Sequence, residues 1–210
     1  MEIINKYFSD FTPQQRNQFA LLKNLYDDWN SKINVISRKD MDGLFEKHIL
    51  HSLSITTVFS FEAGTEILDL GTGGGFPGIP LAIFFPNVKF HLVDSIAKKL
   101  NVVENIASSI GATNITVQHT RAEEIKGRKF EYVVSRAVAP LGDLWKWSKP
   151  LIRNKSVASD KKNGLMRASR RSQNVRQVCS KAVLDQSHRS GATVSCAAAR
   201  NAVGVYSLEP

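Results

Sequence analysis

Residues 67–83 constrain this chain more than any other stretch: Ile67-Leu68-Asp69-Leu70-Gly71-Thr72-Gly73-Gly74-Gly75-Phe76-Pro77-Gly78-Ile79-Pro80-Leu81-Ala82-Ile83. An apolar run leads into a glycine loop, and the loop opens a short helix. Glycines at 71, 73 and 75 let the backbone approach a ligand where any Cβ would block it. The helix N-terminus behind them adds N–H groups and the positive end of a dipole. Pro77 and Pro80 fit only a first turn, so the helix is expected to begin near Gly78. Pro86 stops it, because the residue before a proline avoids the helical region.

Such a loop takes a nucleotide-like ligand, and the spacing of its glycines narrows which one. The dinucleotide fingerprint needs G-x-G-x-x-G. Here the third glycine comes one place early and Phe76 stands where that pattern requires glycine, which sets a nicotinamide oxidoreductase last among the readings. The order acidic–Leu–Gly–x–Gly–x–Gly resembles motif I of class I S-adenosylmethionine (SAM) methyltransferases.

The 210 residues suit one domain with a sizeable core. No apolar run approaches the ~18 residues of a membrane span, and the N-terminus lacks a signal-peptide pattern. With only Cys179 and Cys196, neither a disulfide framework nor a metal cluster is expected, and a cytoplasmic protein without membrane attachment is. The net charge of +9 invites a nucleic-acid partner. Its distribution is uneven: residues 1–153 carry 18 Lys and Arg against 16 Asp and Glu, whereas residues 154–210 carry 10 against 3. Charge alone therefore does not identify a substrate.

Ahead of the glycine loop, Thr12-Pro13-Gln14-Gln15 reads as a helix start with a capping box. Phe19, Leu22, Leu25, Tyr26 and Trp29 follow at helical spacing and read as a core stripe. A second helix is expected from Met41 to about Val58, with Lys47, His48 and His51 among its polar members, the histidines as structural residues. Beyond the loop, Val88–Val93 reads as a strand ending in Asp94, an acid placed to accept hydrogen bonds from ribose hydroxyls. A helix from Lys98-Lys99 closes at Gly111. Ile115–His119 is a third strand, followed by Arg121-Ala122-Glu123-Glu124, and Phe130–Ser135 a fourth, followed by Arg136. Ligands of open α/β sheets bind outside the carboxyl ends of the strands, which is where Asp69–Gly75, Asp94, Glu123 and Arg136 converge.

With these residues in place the chain resembles the RsmG (glucose-inhibited division protein B) family, which methylates guanine N7 in the 530 loop of 16S ribosomal RNA with SAM. The resemblance rests on Trp29-Asn30 through Ser37, His48 through Leu53, Leu68–Leu81, and Leu92-Val93-Asp94-Ser95 with Lys98-Lys99. It continues through Arg121–Glu124 and Ser135-Arg136-Ala137. It implies a class I methyltransferase fold: Rossmann-like α/β, a mostly parallel sheet with helices on both faces, an N-terminal helical extension and here an atypical C-terminal tail. By the same resemblance Gly71, Gly73 and Phe76 would line the methionine and sulfonium part of SAM, Asp94 would hold ribose, Ala122 and Glu123 would meet adenine, and Arg136 would sit near the reacting centre. His51 departs from the family, which often has Asp there. The partner implied is 16S rRNA or the small ribosomal subunit, met by a monomer.

Past about Arg153 no family-like segment is recognised, although the family has two further strands there, including an antiparallel edge pair. That tail holds one aromatic, Tyr206, of the chain's 18. The expected division is therefore an N-terminal helical extension over 1–60, a SAM-binding core over 61–153 and a basic tail over 154–210, frameshifted or disordered. Guanine N7 carries a lone pair and no proton, so no catalytic base is expected and positioning is the mechanism. Two other readings stand beside this one: a SAM-dependent methyltransferase for another substrate, and a SAM-binding protein inactive because its terminal strands are replaced.

Overall fold

The structure is a computed structural model that describes residues 1–57, 59–136 and 138–153, together with the strands 176–178 and 203–206. Six strands form one sheet; numbered in chain order, they lie 3-2-1-4-6-5 across it. Strands β1 (Glu66–Leu70), β2 (Lys89–Asp94), β3 (Ile115–His119) and β4 (Tyr132–Arg136) are mutually parallel. β5 (Arg176–Val178) and β6 (Val203–Tyr206) run antiparallel to each other, and β6 runs antiparallel to β4. An antiparallel pair thus lies where the family resemblance expects one. The remainder of 154–210 lies outside the described residues, and with it the expectations about its burial and order.

Alternation along the strands divides the core in two. Ile67, Phe90, Leu92 and Val134 join the larger cluster, shared with helices α2 (Pro13–Lys32), α5 (Gly78–Phe84) and α6 (Ala97–Ser109). Leu68, Leu70, Val93 and Val133 pack on the other face with Phe130 and with Leu144 of α7 (Leu141–Ser148). Two short helices, α1 (Glu2–Asn5) and α3 (Arg38–Met41), complete the N-terminal part with the stretch that follows them.

The capping box forms: Thr12 Oγ1 accepts from Gln15 N at 3.2 Å while Gln15 Oε1 accepts from Thr12 N at 2.9 Å. From its start α2 clamps onto the sheet domain. Gln15 Nε2 donates to the carbonyls of Ile83 and Phe84, Gln18 Nε2 to that of Ile110, and the Tyr26 hydroxyl to that of Gly74. These carbonyls include ones that the ends of α5 and α6 leave without a helical partner.

Strand and helix limits around the glycine loop fall within a residue or two of expectation, α5 beginning at Gly78. The helix expected over Met41–Val58 is not a regular one. Leu44–Leu50 is a π-helix, α4 (His51–Leu53) a single α turn, and Ser54–Thr57 a 3₁₀ turn. The hydroxyls of Ser52, Ser54, Thr56 and Thr57 each donate to a carbonyl three or four residues back. Such back-bonding competes with the regular ladder.

Candidate functional site

At the carboxyl ends of β1, β2 and β4 lies a cavity of about 360 Å³, bordered by the glycine loop, Asp94-Ser95, Lys99, Arg136 and, from the N-terminal part, Val35, Asp40 and His48. Five of the seven residues expected at the site share it: Gly71, Gly73, Phe76, Asp94 and Arg136. Ala122 and Glu123 do not. They line a separate cavity of about 730 Å³ with Trp147 and Leu151. The reason is local: the Ala122 methyl packs into the core cluster on the α7 face of the sheet.

The loop's backbone departs from the expected picture of amides held out to a ligand. The N–H groups of Gly71 and Thr72 both donate to the Val93 carbonyl, and those of Gly75 and Phe76 to the Thr72 carbonyl. Gly73 N donates to Asp94 Oδ2 at 2.8 Å, and Gly78 N to Asp69 Oδ2 at 2.9 Å. The loop is braced from within, and its glycines serve conformation more than ligand bonding. Gly71, Gly73 and Gly75 have φ of +70°, +58° and +93°, in the left-handed region. At Gly73 the space a Cβ would occupy is open.

Asp94 closes β2 and is buried. Each of its oxygens accepts one backbone N–H, from Gly73 and from Ile96, which leaves further lone pairs for a ligand hydroxyl. Asp69, one pleat from the loop, is fully buried. Its Oδ2 accepts from Thr72 Oγ1 and Gly78 N, while its Oδ1 has no partner among the described residues. Burial pushes the Asp69 carboxyl up to about 7, against the downward pull of those two hydrogen bonds and of Arg136. At Asp40 the shift is downward, because Lys47 and Ser37 bond to its carboxylate.

Phe76 borders the cavity, yet only 2% of it is exposed. Its ring stacks on Tyr26 at 5.0 Å, and the Arg136 guanidinium lies over it at 5.1 Å from the ring centre. His48 packs beside it at 5.1 Å. Phe76 is therefore a platform for other side chains. Arg136 Nη2 lies 2.8 Å from His48 Nδ1, and Nη1 donates to the Lys47 carbonyl at 3.4 Å. Burial lowers the Arg136 pKa to about 10 and that of His48 to about 4, so at neutral pH the arginine is charged and the histidine is not.

Tyr26, Val35 and His48 are among the residues at or beneath the site that sequence reasoning did not place. All come from the N-terminal part, where Tyr26 reads as one more member of a core stripe and His48 as a structural histidine. A signal for the loop around Val35 does exist in Asn30. Its side-chain oxygen accepts from the N–H groups of Val35 and Ile36, and its amide donates to the Ile36 carbonyl. That pins the 33–37 turn against the glycine loop, with Val35 beside Gly74.

Among the described residues, no helix is long and apolar enough to cross a membrane and no cluster of His, Cys, Asp and Glu could hold a metal ion. The chain matches a family model described as GidB, rRNA small subunit methyltransferase G, over residues 15–201. That match runs past Arg153, where the sequence alone offers no family-like segment. Proteins named ribosomal RNA small subunit methyltransferase G are similar to it. The Phocaeicola vulgatus protein is 59% identical over 165 residues, covering 79% of this chain and 76% of the other. The Bacteroides thetaiotaomicron protein is 63% identical over 146 residues, covering 70% of each. That of Porphyromonas gingivalis is 52% identical over 165 residues, covering 79% and 74%.

Proposed function

The chain belongs to the rRNA small subunit methyltransferase G family, and from that premise we propose that its cavity binds SAM and that it methylates N7 of a guanine in the 530 loop of 16S rRNA. The observation that carries this reading is the convergence of Gly71–Gly74, Phe76, Asp94 and Arg136 on one cavity at the carboxyl ends of parallel strands. The residues present fit the cofactor. Asp94 keeps acceptor capacity for ribose hydroxyls, Gly73 leaves open room beside the backbone, and Asp69 Oδ1, unpartnered among the described residues, is a buried acceptor close behind the loop. Arg136 supplies a cation with no carboxylate paired to it among the described salt bridges. In this assignment Gly71, Gly73 and the Phe76 platform border the methionine end and Asp94 holds the ribose. Ala122 and Glu123 remain the adenine-side candidates, through the loop that Thr120 N ties to the Asp94 carbonyl.

Bound SAM supplies an activated methyl on a sulfonium, a good leaving group. Guanine N7 offers a lone pair with no proton to remove, so no side chain has to act as a base. This chain's residues hold two reactants in line and keep water out, which accounts for much of the acceleration of a two-reactant step. The guanidinium of Arg136 offers paired donors suited to a guanine O6, a phosphate or the cofactor carboxylate. We take the protein to act in the cytoplasm as a monomer, its N-terminal helices (1–60) packed on the SAM-binding core (61–153). The β6 strand paired to β4 favours a completed catalytic domain over the reading in which lost terminal strands leave only cofactor binding, and 154–210 then adds positive charge toward RNA.

Mapping of 16S rRNA modifications by mass spectrometry, in cells with and without this gene product, tests the reading. Loss of one methylguanine in the 530 loop is expected, and an unchanged modification map would refute it. Asp94→Ala should weaken SAM binding by about 1–3 kcal/mol, because both a ligand acceptor and the brace on Gly73 are removed. Unchanged affinity by calorimetry would take Asp94 out of the site.

A further inference from the structure

Arg136 is a cation that neutral groups hold beside the cavity. It leaves the carboxyl end of β4, borders the cavity, and among the described salt bridges it pairs with no carboxylate. Two consecutive residues of the Leu44–Leu50 π-helix hold it instead, through the His48 ring and the Lys47 carbonyl, with the Phe76 face beneath. π-Helical turns are rare and concentrate at functional sites. Here the wide turn aims a side chain and a neighbouring carbonyl at one guanidinium.

We propose that His48 is a positioning residue that fixes the Arg136 guanidinium over Phe76 at the mouth of the cavity. The proposal rests on the assignment of the cavity to SAM and guanine. The proton inventory supports it. Arginine only donates, so the bond at 2.8 Å requires His48 Nδ1 to be the bare, accepting nitrogen and puts the ring proton on Nε2. That Nε2 is buried and has no partner among the described residues. A buried donor left unsatisfied requires a reason, and the reason here is that the ring is oriented for Arg136. A protonated His48 would turn a donor and a second positive charge toward the guanidinium. Burial opposes that, and so do Arg136 from β4, and His51 and Lys47 from its own helical stretch; only Asp40 of α3 favours it. The acceptor is thus kept neutral across the physiological range, and the cation remains uncompensated and available to an anionic or carbonyl oxygen of a bound reactant.

Three variants test this. His48→Phe keeps a ring against Phe76 but has no acceptor; His48→Asn offers an amide oxygen close to the position of Nδ1; Arg136→Lys removes the planar fork. In the intact protein, nitrogen-15 NMR of the Arg136 guanidinium should show separate, exchange-protected Nη protons. These should be lost in His48→Phe and kept in His48→Asn. With SAM and 16S rRNA, His48→Phe should lower kcat tenfold or more with a melting temperature within a few degrees of the parent, and His48→Asn should recover most of that loss. Combined with Arg136→Lys it should cost little beyond either change alone, because both disturb one guanidinium. Averaged Arg136 signals in the parent protein, a parent-like kcat in His48→Phe, or fully multiplying losses in the double variant would each overturn the proposal. If the parent protein transfers no methyl to rRNA, the functional reading fails, while the NMR comparison still decides whether His48 holds Arg136.

Discussion

At the scale of single residues, the glycine loop separates two demands that sequence motifs merge. One is conformation: Gly73 sits at φ +58°, where a β-branched side chain is strongly disfavoured. The other is room, and at Gly73 a Cβ would meet nothing within 4 Å. Gly73→Ala should therefore fold with a loss of about 1–2 kcal/mol from left-handed strain, whereas Gly73→Val should cost more and also project into the cavity. Urea denaturation gives the first quantity and SAM calorimetry the second. Equal stability and equal SAM binding for glycine, alanine and valine would mean that the loop tolerates any backbone there. The glycines and the strand-end Asp94 are legible in the sequence because their meaning is local, a turn in one case and a strand terminus in the other. That Val93, Asp94 and the loop's own Thr72 carbonyl take up amides of Gly71–Gly73, Gly75 and Phe76 is not legible. Such bonds join residues more than 20 positions apart, as Gly73 to Asp94 does at 21, and spacing alone does not reveal them.

At the scale of elements, α2 is set by its first turn. Gln15 completes the capping box with its oxygen and uses its nitrogen on the Ile83 and Phe84 carbonyls of α5. Gln15→Glu keeps the capping acceptor yet turns a carboxylate oxygen toward two carbonyls. It should destabilise the protein by about 1–3 kcal/mol, more than the ~1 kcal/mol typical of losing an ordinary cap by Thr12→Ala. Chemical denaturation of the two variants reads the difference; a neutral Gln15→Glu would limit that residue to capping. The elements around the glycine loop can be read from sequence because proline, glycine and period-two patterns mark their ends. The stretch after Met41 cannot, since its apolar spacing suits a regular helix. Along its actual path hydroxyls bond backward to carbonyls, and residues 47 and 48 bond to Arg136. Tyr26 shows the same limit: an amphipathic pattern identifies a buried face and is silent on what that face touches.

At the scale of the whole molecule, acid should loosen the fold. His48 and His51, both held down to about 4 chiefly by burial, must take up protons to unfold in mild acid. Their contribution to stability is complete above about 6.5 and is lost as pH falls toward 4. His91 shifts in the same direction, again from burial. Asp69, raised to about 7, acts oppositely: its contribution is present at low pH and lost as pH rises through 7. Three histidines outweigh one carboxyl, so denaturation midpoints should fall from pH 7 to pH 5, and Asp69→Asn should steepen that fall. A midpoint that is flat across this range would mean that these groups titrate alike folded and unfolded. The clamps from α2 have a further consequence, for how far the N-terminal helices can be treated as a module. Because Gln15, Gln18 and Tyr26 close carbonyls that belong to α5, α6 and the glycine loop, the two parts share one interior, and the peptide linking them near residue 60 is the least consequential connection between them. A protease nick there should leave a two-piece protein that migrates as one particle in native mass spectrometry and still binds its ligand, whereas the piece beginning after the nick, produced alone, should fail to stay soluble.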